Sequence, residues 1–210
     1  MVGVRGSRIA AHVGLLWILL AAPALAGTIN LEWRPMFQTV NVGDPVGVGL
    51  YAVSGTGVDE PFNSAQVIMT WDTSFLLLTG VDQTAAVLQP PNDTSAFLPG
   101  DSFGFNESNP PADGDGIWFG FVSTGQTRDA TVAGSLLTTI MFDALAETPG
   151  TPVSMLYNAQ KPGRPMAYSK VIQGTYNVLG TMSDPAIVEI VPEPVSFVLV
   201  LAGALIVRRR

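Results

Sequence analysis

The 210-residue sequence contains no cysteine, and its single histidine, His12, lies close to the amino terminus. A chain without cysteine forms no disulfide, so its fold must depend on a packed apolar core. If residues 1–26 are removed, as argued below, no histidine remains either. Hydrolases built on Ser-His-Asp or Cys-His groups and zinc sites of the usual ligand sets are then excluded. Carboxylate catalysis and calcium binding through oxygen ligands stay open.

Basic residues are scarce as well, and half of them lie at the two ends of the chain. The whole sequence carries ten basic and 17 acidic residues, a net charge of −7. Five arginines and one acidic residue lie within residues 1–26 and 192–210, which leaves residues 27–191 with a net charge of −11. A surface of this sign repels nucleic acid and anionic lipid, so no nucleic-acid partner is expected.

The amino-terminal segment is arranged like a secretory signal peptide. Two arginines precede a compact apolar stretch, Val13 to Ala22, which a proline ends. Ala24 and Ala26 then place small residues at the two positions that signal peptidase reads, with cleavage before Gly27. We therefore expect residues 1–26 to be removed and the chain to be exported, the alternative being an anchor that is never cut.

The carboxyl-terminal segment, VPEPVSFVLVLAGALIVRRR, combines a Pro-Glu-Pro triplet, an apolar run and three arginines. The run from Val195 to Val207 has 13 residues, whereas a stable membrane span needs about 20. Its uncharged character also argues against a helix with one polar face. The residues alone leave three readings open: a processing signal, a minimal tail anchor, or a terminal helix docked on the domain.

Both ends together resemble the PEP-CTERM class of exported bacterial proteins. The residues that carry this resemblance, besides the signal peptide, are Pro192, Glu193, Pro194, Arg208, Arg209 and Arg210. The resemblance implies that residues 192–210 are a sorting signal, a short apolar helix held transiently in the inner membrane and cut by an exosortase near the triplet. Arginines on the cytoplasmic side fit this orientation. We therefore expect a finished protein at the cell surface or in the extracellular matrix.

Residues 27–191 read as one all-β domain, since apolar residues alternate with polar ones and clusters of Gly, Pro, Asn and Asp separate the runs. This pattern predicts a single β-sandwich of about nine strands, with a jelly-roll-like arrangement. The predicted strands are Thr28–Trp33, Phe37–Val42, Pro45–Val53, Ala65–Trp71, Phe75–Leu78, Gly116–Val122, Leu136–Ala144, Val153–Tyr157 and Ala186–Ile190.

The order of three stretches adds a second resemblance. They are VNVGDPVGVGLYAV (Val40–Val53), AQVIMTWDTSFLLLTGV (Ala65–Val81) and GSLLTTIMFDA (Gly134–Ala144). This progression is similar to cohesin-type domains and to related carbohydrate-binding sandwiches of exported bacterial proteins. The resemblance implies a cohesin-like sandwich, and cohesins bind dockerin modules through one sheet face.

Two candidate sites stand out in the domain. If Ile117 faces the core, alternation places Trp118 on the opposite side, where an exposed ring could stack on a sugar; the alternative is contact with a covering loop. Asp113 and Asp115, with Asp101 upstream, supply oxygen ligands of the kind that calcium takes, the alternative being a solvated acidic turn. Calcium is the one cofactor that the sequence leaves open.

Two classes of function follow. The first is a non-catalytic surface or matrix protein that binds polysaccharide or another surface protein. The second is a carboxylate-dependent glycan-active enzyme, which needs two acids converging on a cleft. Because the acidic residues are scattered over turns, we expect the first.

Overall fold

The computed structural model describes residues 28–90, 97 and 99–193, and within them every regular element is a β-strand. The predicted all-β class is confirmed. Nine strands lie where alternation predicted them: β1 (Ile29–Arg34), β2 (Phe37–Asn41), β3 (Pro45–Ser54), β5 (Ser64–Thr70), β6 (Leu76–Asp82), β7 (Asp115–Phe121), β9 (Ser135–Ala144), β10 (Thr148–Leu156) and β16 (Ala186–Val191). Seven more have two to four residues: β4 (Glu60–Phe62), β8 (Arg128–Ala130), β11 (Asn158–Ala159), β12 (Ala167–Tyr168), β13 (Lys170–Gln173), β14 (Tyr176–Asn177) and β15 (Leu179–Met182).

The strands form two main sheets. Sheet 1 has the order β15-β1-β3-β9-β6, and sheet 2 has the order β14-β13-β5-β10-β16-β2, with β7 on the other side of β5. Two small ribbons, β4–β8 and β11–β12, stand apart. Most pairs are antiparallel, whereas β1 with β15 and β16 with β2 are parallel. The predicted signal peptide and apolar tail lie outside the described residues. Among the residues that the structure describes, no helix is long and apolar enough to cross a membrane.

The core lies between the two sheets, where alternate side chains of each strand meet. In β3, Val46, Val48 and Leu50 are fully buried, as the period of two predicts. Trp71, which follows β5, packs edge-on against Phe142 of β9, with ring centroids 5.7 Å apart. Trp71 is buried and belongs to the core. Since these two rings come from different sheets, they help to hold the sandwich closed.

The turn between β2 and β3 carries the chain from sheet 2 to sheet 1. Asp44 Oδ2 accepts hydrogen bonds from Asn41 Nδ2 at 2.7 Å and from Asn41 N at 3.0 Å. These two bonds hold the pKa of the Asp44 carboxyl below its usual value, the side-chain bond contributing most. Gly43 adopts a φ of +87°, which glycine tolerates without steric cost. The predicted turn is therefore built as its residue types indicate.

Within sheet 2, strand β5 pairs with two different strands along one of its edges. The carboxyl-terminal half of β5 pairs with β10, and its amino-terminal half pairs with β13. Ser169 lies at the junction, where its Oγ accepts from Ile68 N at 2.9 Å and donates to Leu156 O at 2.6 Å. One buried hydroxyl thus replaces the ladder bonds that neither neighbouring strand supplies.

The two ends of the described chain lie at opposite poles of the sandwich. Thr28 O accepts a hydrogen bond from Gly55 N at 2.7 Å, immediately after β3 ends. Val191 O accepts one from Val42 N at 3.0 Å, just before β3 begins. Since β3 has ten residues, the two poles are separated by about 30 Å.

Candidate functional site

Strand β7 presents Trp118 to the core and its odd-numbered side chains to the outer face of sheet 2. In the antiparallel register of β5 and β7, Val67 lies opposite Trp118, and Ile68 lies opposite Ile117. Directly opposed side chains share a sheet face, so the buried Val67 places Trp118 inside. Trp118 is fully buried. The prediction of an exposed Trp118 ring for sugar stacking is therefore wrong, because both faces of β7 are apolar and alternation alone does not choose between them.

The Trp118 ring lies along its own strand, over Gly120. A Cβ atom at position 120 would lie 2.6 Å from Trp118 Cη2 and 3.0 Å from Leu88 Cβ. Such distances are shorter than van der Waals contact, so the packing of this ring requires glycine two residues further along the strand.

The outer side of β7 carries two aromatic rings instead. Phe119 and Phe121 are partly exposed, and their ring centroids lie 6.0 Å apart with 28° between the ring planes. On β5, Gln66 lies opposite Phe119 and Ser64 lies opposite Phe121. Each ring therefore has a polar neighbour on the adjacent strand. Gln66 is held in place, since its Nε2 donates to Tyr168 O at 2.8 Å.

A groove runs along this face, and Phe119 borders both of its parts. The first part, a cavity of about 490 Å³, lies between the two strands and residues 99–106, with Gln66 and Phe103 in its lining. The second part, about 310 Å³, extends past Phe121 to Asn63 and residues 123–126. We call these two cavities together with the two rings the outer groove.

The lining of the outer groove is nearly free of charge. Among the described residues that form it, only Asp101 is ionisable. Its carboxylate accepts backbone hydrogen bonds from Phe103 N at 2.8 Å, Phe105 N at 3.0 Å and Asn106 N at 2.6 Å. Asp101 therefore organises the loop. A glycosidase needs two carboxylates flanking the scissile bond, and this part of the structure offers no second one to the groove.

The outer edge of β7 is already hydrogen-bonded at two positions. Asn106, which is 1% exposed, donates from Nδ2 to Ile117 O at 2.8 Å and accepts at Oδ1 from Ile117 N at 2.9 Å. Further along, Gln89 and Phe121 exchange two backbone bonds of 2.9 Å. A side-chain amide and a short bridge thus occupy places where another strand would pair, and they protect this edge.

A small apolar cluster covers the outer face beside the groove. It comprises Ile68, Phe105, Ile117 and Ala167, with Leu156 packed against it. This cluster explains why Ile117 is buried although it points away from the main core. Loop residues around Phe105 and the β11–β12 ribbon therefore act as a local cover on sheet 2.

Lys161 joins this cover to the start of β7. Its Nζ lies 2.6 Å from Asp115 Oδ2, 3.0 Å from Asp113 Oδ2 and 5.4 Å from the centroid of the Phe105 ring. Partial burial alone would lower the pKa of Lys161, but the two carboxylates outweigh it and the pKa lies above its usual value. Burial raises the pKa of Asp115 despite the lysine, since its Oδ1 is buried with no partner in the described structure.

The predicted calcium site is not formed. Asp113 and Asp115 bind the Lys161 ammonium, and Asp101 accepts three backbone N–H groups. Across residues 28–90, 97 and 99–193, no group of three or more Asp, Glu, His or Cys side chains is placed to hold a metal ion. Calcium needs about six to eight oxygen ligands, and a lysine occupies the centre of this acidic pair. The prediction is wrong for these residues.

The predicted processing residues lie at the ends of the chain. Pro192 and Glu193 directly follow β16, beside the turn that precedes β3. Ala24, Ala26 and Gly27 lie outside the described residues, and the same holds for Pro194 and for Arg208, Arg209 and Arg210.

Sequence reasoning missed Phe119 and Phe121 as surface residues. It assigned the odd-numbered positions of β7 to the core because they are the more apolar set. The spacing of Gly116, Trp118 and Gly120 contained the missing signal. A tryptophan between two glycines on one side of a strand is typical of a large ring that needs room within a packed core.

No protein-family model matches the chain, and no curated protein matches it significantly. Several solved structures do match it. A chain of the CaDoc0917–CaCohA2 complex, with CaCohA2 from Clostridium acetobutylicum, is 17% identical, with a TM-score of 0.50 over 78% of this chain and 100% of that chain. The third ScaC cohesin of Acetivibrio cellulolyticus, solved with a ScaB dockerin, is 12% identical, with a TM-score of 0.50 over 78% and 99%. The domain has a cohesin-like β-sandwich fold.

A type I cohesin–dockerin complex from Clostridium thermocellum, Coh-OlpA–Doc918, gives the same result at 14% identity, with a TM-score of 0.50 over 78% of this chain and 99% of that chain. At such identities the similarity establishes the cohesin-like fold alone. It confirms the fold that the three sequence stretches predicted.

Proposed function

We propose that the protein is an exported, non-catalytic module of the cell surface or extracellular matrix, and that its cohesin-like sandwich binds polysaccharide or another surface protein through the outer groove. The single observation that carries the proposal is the pair of partly exposed rings, Phe119 and Phe121, in a groove with a nearly uncharged lining. Recognition sites are typically concave and mostly apolar, with a few polar groups. Cohesin–dockerin complexes among the similar structures show that this fold serves binding elsewhere.

A binding assay on native surface material tests this role. The exported protein is incubated with cell-envelope and matrix fractions of the producing cells, and the retained fraction is measured. A variant with Phe119→Ala and Phe121→Ala should be retained several-fold less than the unmodified protein. Phe37→Ala is the matched control, because Phe37 is a 57% exposed phenylalanine on β2, at the opposite edge of the sheet. Equal retention of all three proteins would contradict the proposal.

The proposal includes export and sorting. Signal peptidase removes residues 1–26 before Gly27, and an exosortase cuts near Pro192, Glu193 and Pro194 after transient insertion of the following segment in the inner membrane. Support comes from the 13-residue apolar run, which is short for a permanent span, and from the terminal arginines, which favour the cytoplasmic side.

Intact-mass analysis of protein from the cell surface tests the sorting. The expected mass is that of a chain that starts at Gly27 and lacks Arg208, Arg209 and Arg210. Replacing Glu193 with alanine should leave uncut protein in the inner membrane. A full tail on surface protein would show that the segment is an anchor.

A further inference from the structure

The outer groove also indicates which kind of ligand it takes. We infer that it binds an uncharged polysaccharide, with sugar rings stacked on Phe119 and Phe121; this rests on the proposed function and names the ligand class of the same site.

The charge of the groove differs from that of the domain around it. Residues 27–191 carry a net charge of −11, yet Asp101 is the one ionisable side chain in the described lining. Three backbone N–H groups already neutralise that carboxylate in part. Beside the lining lie two bases, Lys170 opposite Gln66 on β13 and Arg164 against Gly104, and neither borders the two rings in the described lining. An acidic polysaccharide would meet no cation in the described lining and would be repelled by the net negative domain, which costs electrostatic free energy. A neutral ligand meets no such cost.

The two rings form one aromatic platform on the outer face of β7. Their centroids are 6.0 Å apart and their planes differ by 28°, so the rings stack on each other, and each stays partly exposed. The face of an aromatic ring carries partial negative charge, and the C–H groups on the face of a pyranose carry partial positive charge. A sugar ring can therefore stack on the aromatic surface that Phe119 and Phe121 leave exposed.

Neutral hydrogen-bonding groups border the platform. Gln66 and Ser64 lie directly beside the rings on β5, and Ser123 and Gln126 supply exposed groups at the far end. Amides and hydroxyls both donate and accept, which matches the hydroxyl groups of a sugar. A few such groups beside an apolar floor fix the orientation of a ligand.

The edge of β7 argues against an extended peptide as the ligand. A peptide that adds to a sheet gains its affinity from main-chain hydrogen bonds along a free edge. Here Asn106 already pairs with both backbone groups of Ile117, and Gln89 pairs with both backbone groups of Phe121. The ligand therefore docks on the face of the strands, where rings and neutral side chains are offered.

The experiment measures retention of the exported protein by immobilised polysaccharides. Neutral probes are cellulose, xylan, mannan and dextran, and acidic probes are alginate and polygalacturonate. We expect retention on at least one neutral probe, and little change when salt is raised to about 1 M, because no charge pair is involved. Phe119→Ala and Phe121→Ala should each weaken binding about fivefold, the loss of one stacking contact. Phe37→Ala should bind like the unmodified protein, and Phe119→Tyr should retain binding because the ring is kept.

Each other outcome overturns the inference in a recognisable way. Preference for an acidic probe, or salt-sensitive binding, refutes the neutral ligand and leaves the proposed function standing. No retention on any neutral probe, with retention on surface protein that depends on Phe119, also refutes the inference alone. If neither alanine variant changes binding to any probe or surface fraction, the inference and the proposed function both fail. Far-ultraviolet circular dichroism of each variant verifies that it is folded.

Discussion

Asn106 provides a direct test of how the loop beside the outer groove is held on sheet 2. Asn106→Ala removes two hydrogen bonds and leaves Ile117 N–H and C=O without partners in a buried position. Each buried group that loses its partner costs about 1–3 kcal/mol, so for two groups we expect the free energy of unfolding to fall by about 2–6 kcal/mol. That is a large part of the roughly 5–15 kcal/mol of a typical domain.

Urea denaturation followed by circular dichroism measures this loss. With an m-value of about 2 kcal/mol/M, the midpoint should fall by about 1–3 M at unchanged m. Asn158→Ala is the control: Asn158 is an exposed asparagine on β11, and its removal should change the free energy by less than about 0.5 kcal/mol. A loss below about 0.5 kcal/mol for Asn106→Ala would refute the role of the amide.

Asn106→Asp separates the two hydrogen bonds by pH. The new carboxylate still accepts from Ile117 N–H, but its second oxygen faces Ile117 O, which disfavours the ionised form. Burial and this carbonyl raise the folded-state pKa of the new carboxyl above its unfolded value of about 3.9. The protonated form donates as the amide did, so the deficit relative to the unmodified protein should be small below about pH 4 and should grow as pH rises through the folded pKa. A deficit independent of pH would contradict this account.

Two further substitutions test contacts on β7 and on its cover. Gly120→Ala should lower the free energy of unfolding by about 1–3 kcal/mol in urea denaturation, because the added methyl meets the Trp118 ring. In a Trp118→Phe background the same change should cost clearly less, and equal costs would contradict the close approach. Lys161→Met should cost about 0.5–1 kcal/mol and accelerate amide hydrogen exchange in residues 103–115, whereas unchanged exchange there would refute the link. Because the pKa of Lys161 is raised, the pair stabilises the fold in full below the unfolded lysine pKa of about 10.4. This contribution is lost as pH rises through the higher folded pKa, where the two proteins should converge.

Sequence patterns predicted the strands of the sandwich well and its surface poorly. All nine predicted strands are present because each is long enough to show a period of two, as in Pro45–Ser54. The seven short strands have two to four residues, too few for any period, and tertiary contacts such as the Ser169 hydroxyl at the β5 junction hold them. The fold class could therefore be predicted from the sequence, whereas the register between paired strands could not.

The candidate site could not be located from the sequence without the register of β5 against β7. Which side of β7 faces outward depends on the pairing of Val67 with Trp118, a contact between residues far apart in sequence. The acidic residues near Asp113 raised the expectation of calcium because Lys161, 48 residues further along the chain, was not visible as their partner. Composition predicted which kinds of site chemistry the chain could support, whereas the fold determines which side chains come into contact.

The placement of the chain ends at opposite poles has a mechanical consequence. Tension applied between Thr28 and Glu193 pulls β1 and β16 along their own axes and in opposite directions. The six residue pairs that join β1 to β3 then carry the load in shear and must break together, and the pairs of β16 with β2 and β10 are loaded in the same way. Shear resists force better than the one-by-one opening of a zipper, since the barrier to unfolding governs forced rupture. A domain tethered at one end and bound to its surroundings near the other would stretch little before it fails.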